Sequence, residues 1–111
     1  MQFLVIGLDG EDEHAADRRM AARQAHIKLG EELRQAGNMW YGAALMDDAG
    51  KMNGSVLVMD FPTRGELDGW LKGEPYVTGQ VWKTVEVRPC NVRNPAQFNR
   101  PPEFFASRQS G

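Results

Sequence analysis

Two apolar runs, Met39–Met46 (MWYGAALM) and Ser55–Phe61 (SVLVMDF), flank the stretch Asp47–Gly54 (DDAGKMNG), which is dense in turn-forming residues. Asp, Asn and Gly supply the backbone conformations that a reversal needs, so the two runs are expected to pair as an antiparallel hairpin. A central hairpin constrains what can stand on either side of it. Before it, Gln2–Leu8 (QFLVIGL) is rich in branched residues and closes on Asp9-Gly10, which predicts a buried strand. An amphipathic helix follows from about Ala15 to Ala36, and Gly37 stands where a C-terminal helix glycine belongs.

After the hairpin, PTRGELDGWLKG places Thr63 and Glu66 at the spacing of a capping box, in which the hydroxyl takes an orphan helix amide and the carboxylate reaches back. Leu67, Trp70 and Leu71 share one face of this helix, and Gly73 ends it. Val81–Pro89 (VWKTVEVRP) alternates and predicts a fourth strand. Strand, helix, strand, strand, helix, strand is the ferredoxin-like plan, an α+β fold with two helices on one face of a four-stranded antiparallel sheet. The expected domain spans residues 1–90, and 111 residues leave little room for a second one. Residues 91–111 form a Pro-rich extension, in which Phe98, Phe104 and Phe105 could anchor the chain around a partner subunit; the alternative is a free tail.

In SVLVMDF both alternating sets, Val56/Val58 and Leu57/Met59, are apolar, so the sheet has no clearly wet side. An apolar sheet face needs a cover, and a two-fold homodimer is the expected one. The net charge of -2 and the scattered arginines offer no basic field for nucleic acid. No apolar run approaches the roughly 20 residues of a membrane span, and the N-terminus lacks the pattern of a secretory signal, so a cytoplasmic protein is expected. Cys90 has no thiol partner and reads as a strand-end residue, while His14 sits in an acidic loop and is assigned no role. His14 and His26 lack a zinc spacing, and there is neither a glycine-rich phosphate loop nor a Gly-x-Ser-x-Gly elbow. Neither metal nor cofactor is expected.

On a helical wheel at roughly 100° per residue, His26 lies at a border. Ala22, Leu29 and Leu33, with Ala25 and Ala36, form the expected core stripe; Arg19, Arg23 and Gly30 lie on the other flank. Gly30, one turn on from His26, removes a side chain and leaves room for a small molecule. A border position suits a general base that is partly desolvated yet reachable, although a hydrogen-bonded boundary histidine would occupy the same place. Glu74 precedes Pro75, which cannot continue the second helix, so the carboxylate is presented where that helix stops, with Tyr76 and Trp82 nearby. Asp9 ends the first strand close to the start of the first helix.

Taken in order and at their distances, several short landmarks resemble the YCII-related (YciI-like) family of small dimeric ferredoxin-like proteins, from Phe3 to about Pro89. They are Asp9-Gly10 after the first strand, Arg23-Gln24-Ala25-His26, Gly42 after the first helix, Gly54-Ser55, Glu74-Pro75-Tyr76 and the closing VEVRP. The resemblance implies a dimeric α+β barrel with a histidine and an aspartate at its active site. His26 matches the histidine. The family's usual Asp-Pro-Tyr/Phe is here Glu-Pro-Tyr, so Glu74 replaces the aspartate and is longer by a methylene; Asp9 is the other acidic match, and both stand as candidate partners. One branch of the family resembles dehydrochlorinases of chlorinated hydroxymuconates, and the wider superfamily includes muconolactone isomerases and small monooxygenases.

The function expected from residues and resemblance together is cofactor-independent proton transfer, as elimination or isomerisation of a small unsaturated carboxylic acid. His26 would act as base, with Glu74 or Asp9 orienting its ring. Arg23 and Arg19 would hold the substrate carboxylate through paired hydrogen bonds, with Tyr76 and Ser55 completing the substrate-binding set. The alternatives are a dimeric small-molecule-binding or accessory protein without catalysis, and a purely structural dimer module.

Overall fold

The computed structural model describes residues 1–93; the phenylalanines of the C-terminal extension lie outside them. Strand β1 (Gln2–Asp9), helix α1 (Ala15–Ala36), strands β2 (Met39–Met46) and β3 (Met52–Asp60), helix α2 (Arg64–Gly73), the single-turn helix α3 (Pro75–Thr78) and strand β4 (Trp82–Cys90) follow one another. All three pairings are antiparallel and the sheet order is β2-β3-β1-β4. The expected α+β, ferredoxin-like plan is therefore the fold.

Local chemistry explains most element ends. Gly37 closes α1 at φ 89°, a left-handed conformation that only glycine adopts freely, and Asn38 N–H reaches back to the Leu33 carbonyl at 2.8 Å. Thr63 caps α2 by accepting from Glu66 N–H at 3.2 Å. The β2–β3 turn is tighter than its composition suggests, because β3 begins at Met52 rather than Ser55. The Asp47 carboxylate organises the reversal by accepting from the amides of Ala49 and Lys51, both at 2.9 Å. Helix α3 was not expected: Glu-Pro does stop α2, but Pro75 is also a favourable first residue for a new helical turn.

Phe3 and Val5 of β1 pair across the sheet with Met59 and Leu57 of β3, and these four face the core with Leu67, Tyr76, Val81 and Trp82. The opposite face carries Leu4, Ile6, Val56 and Val58 as facing pairs, with Tyr41 beside Val58. Both sheet faces are thus apolar at the centre. Strand β4 departs from simple alternation. A bulge skips Lys83, so that Thr84 faces Leu8 while Trp82 faces Asp9. The extra residue turns Trp82 away from the side of Thr84 and Glu86 and into the core. Helix α1 also differs from its wheel: Ala25 and Ala36 are exposed, and its fully buried residues are Ala15 and Arg19.

Gly7 makes room for the indole. A β-carbon there would stand 2.3 Å from Trp82 Cδ2. Gly7→Ala is expected to destabilise the fold by about 1–3 kcal/mol through overpacking, read as a lowered urea midpoint with an unchanged denaturation slope.

Candidate active site

Helix α1 approaches α3 closely through Ala22 and Gly79. A β-carbon on Gly79 would lie 3.2 Å from that of Ala22 and 2.8 Å from the Pro75 carbonyl oxygen. One turn beyond Ala22, His26 lands flat on the Tyr76 ring, with centroids 3.8 Å apart and planes within 8°. The edge of Trp82 closes the cluster, 6.0 Å from His26 between ring centroids.

Glu74 is only 2% exposed, and its Oε1 accepts twice: from Tyr76 N–H at 3.1 Å, capping α3, and from His26 Nδ1. With Nδ1–H donating to the carboxylate oxygen, the tautomer that this contact selects has its lone pair on Nε2. Among the described residues Nε2 has no hydrogen-bond partner. Burial pushes the Tyr76 phenol above its ordinary pKa, an effect that the nearby Arg19 and Arg23 oppose.

Asp9, the second acid considered, partners another residue. Both its oxygens accept from Arg19 Nη1 at 2.9 Å, and the two side chains are almost fully buried. Arg19 was expected on the basic flank, holding the substrate carboxylate; instead it is buried, its Nη2 donates to the Gly54 carbonyl at 3.1 Å and to Ser55 Oγ at 3.2 Å, and its Cζ lies 4.8 Å from the Tyr76 ring centroid. The reason is charge satisfaction. A guanidinium taken out of water needs acceptors, and the ends of β1 and β3 supply them to both Nη groups, while the buried Nε–H has none among the described residues. Trp82 Nε1 also donates to Ser55 Oγ, at 3.2 Å. Neither this bond nor the ion pair follows from any local spacing in the chain.

The cluster opens on a cleft of about 380 Å³ between α1 and the β2–β3 edge. His26, Tyr76, Ser55 and Arg19 form one wall and Arg23 the rim, while Gly30 faces Gly42 across the Met39 side chain. Arg34, also at the rim, is paired with Glu31; Arg23 has no acidic partner among the described residues.

Sheet order, one-sided helices and a cleft floored by β2 and β3 define a ferredoxin-like α+β domain. The chain belongs to the YCII-related domain family, whose model matches residues 1–91. No curated protein sequence matches it. Among solved structures it is similar to the 5-chloro-2-hydroxyhydroquinone dehydrochlorinase (TftG) from Burkholderia phenoliruptrix AC1100 in complex with 2,5-dihydroxybenzoquinone. That likeness has a TM-score of 0.71 and 20% identity over 82% of this chain and 94% of that one. A dimeric ferredoxin-like protein of unknown function from Jannaschia sp. CCS1 is similar at a TM-score of 0.51 and 16% identity, over 82% and 98% of the two chains. At these identities the likenesses establish the fold. No helix among the described residues is long and apolar enough to cross a membrane.

The Asp9–Arg19 pair invites a stability test. Arg19→Met is expected to cost about 3–5 kcal/mol, because it strands a buried carboxylate, while adding Asp9→Leu to it recovers most of the loss. Urea unfolding of the two single variants and the double variant checks the cycle.

Proposed function

We propose that the protein is a small enzyme that moves a proton on a small unsaturated acidic compound, by elimination or isomerisation, without a cofactor. The observation that carries this reading is the His26–Glu74 pair: a buried carboxylate holds Nδ1–H and leaves Nε2 free at the wall of a ligand-sized cleft. In this reading His26 Nε2 takes a proton from carbon beside a carbonyl or dienol. Glu74 keeps the ring in place and stabilises the imidazolium formed. Tyr76 supplies a flat apolar platform beside the base. The guanidinium of Arg23, which has no acidic partner among the described residues, suits an anionic oxygen of the substrate. Asp9 has no part in proton transfer here, since Arg19 takes both its oxygens. The dehydrochlorinase with its bound quinone supports the reaction type and a planar oxygenated ligand.

Solvent-deuterium exchange into 2,5-dihydroxybenzoquinone and small unsaturated acids, followed by NMR, tests the proposal. Wild type is expected to catalyse exchange into at least one compound, and His26→Ala to slow it by about 10²–10⁴-fold. Binding that is equal in both proteins, with no exchange in either, would instead make this a ligand-binding protein.

The apolar sheet face of Leu4, Ile6, Val56 and Val58, together with the dimeric neighbour, supports a homodimer closed through that face. Light scattering at micromolar concentration is expected to give the mass of two chains. Replacing Ile6 and Val56 by Lys is expected to shift it to one.

A further inference from the structure

Ser55 sits in the wall of the cleft with an unusual hydrogen-bond inventory. Its hydroxyl oxygen has two lone pairs and one proton. Two N–H donors reach it, Arg19 Nη2 and Trp82 Nε1, both at 3.2 Å, and neither group can accept in return. The neighbouring Gly54 carbonyl accepts from Arg19 and not from Ser55. Among the described residues nothing accepts the Ser55 proton, although the residue is only 3% exposed. A buried hydroxyl with saturated lone pairs and an idle proton needs an acceptor, and Ser55 borders the cleft.

We propose that Ser55 is the obligate hydrogen-bond donor to a carbonyl oxygen of the ligand, its hydroxyl held in that sense by Arg19 and Trp82. The inference rests on reading the cleft as a proton-transfer site and adds what the ligand must present there. A carbonyl, carboxylate or enolate oxygen fits; an ammonium or amide N–H meets a group that cannot accept. When His26 Nε2 takes the proton from the adjacent carbon, the C–H electron pair moves into the new double bond and the carbonyl π pair onto its oxygen. The Ser55 O–H then faces a growing negative charge in a site walled by donors. The enolate collapses by taking a proton at another carbon, as isomerisation, or by expelling chloride, as elimination. Arg19 and Trp82 are positioning residues in this scheme.

Infrared difference spectra of the full chain with 2,5-dihydroxybenzoquinone, isotopically labelled at its carbonyl carbons, test the assignment. On wild type the carbonyl band is expected to move below its position in water, and Ser55→Ala to abolish the extra displacement and weaken binding about tenfold. Ser55→Cys keeps the side-chain shape, slightly enlarged, with a much weaker donor. It is expected to give an intermediate band and carries the test should the alanine variant misfold. His26→Ala is expected to keep the displacement while losing deuterium exchange. Absence of the displacement in wild type, or its full retention in both folded Ser55 variants, overturns the assignment. Undiminished exchange in His26→Ala with the band still displaced would leave the Ser55 donor standing and sink the histidine as base.

Discussion

One buried carboxylate oxygen joins the parts of this molecule that matter for its site. Glu74 Oε1 accepts the amide of Tyr76 and the Nδ1–H of His26, so the same atom starts α3 and fixes the histidine of α1. The Glu74 amide in turn closes α2 on the Leu71 carbonyl. An ionised carboxylate in the interior is stable only with donors around it, so the corner, the helix start and the imidazole tautomer are held together. The histidine is therefore oriented by the fold itself rather than by a mobile loop.

Close approach of backbone elements is the second requirement, and small residues provide it. Gly79 against Ala22 brings α1 down to α3, and Gly7 admits the Trp82 indole beneath the helices. Gly30 and Gly42 make room for the Met39 side chain between them, and all three line the cleft. Packing that forms the core at one end of α1 thus withholds side chains at the other, and the apolar area given up there is the ligand site.

Beside the cleft, a polar layer replaces apolar core. Asp9, Arg19, Ser55 and Trp82 form a chain of directed bonds joining the end of β1, helix α1, β3 and the start of β4. Such a chain is weak evidence for added stability, because two charges have been dehydrated to make it. Its clearer effect is orientation. The β4 bulge that skips Lys83 aims Trp82 at Ser55, and the guanidinium saturates what the indole leaves open.

The extents of strands and helices, the Gly37 stop, the Thr63 cap and the border position of His26 were legible in the chain because each depends on residues a few positions apart. They decided the element order and, through it, the family fold. The partner of His26 was not legible: Glu74 and Asp9 matched equally well as acids, and the choice between them was made by contacts across 48 and 10 residues of sequence. Arg19 stands on the basic flank of the helical wheel, yet β1 and β3 bring acceptors to its Nη groups, and a bulge against β1, which no local pattern marks, turns Trp82 into the core. Helix α3 lay concealed in a dipeptide that stops one helix and starts another. Local order follows from nearest-neighbour chemistry, which a sequence displays directly. Which charges meet, and which lone pair is left for a ligand, follows from where five separate elements converge, and only the folded chain brings those together.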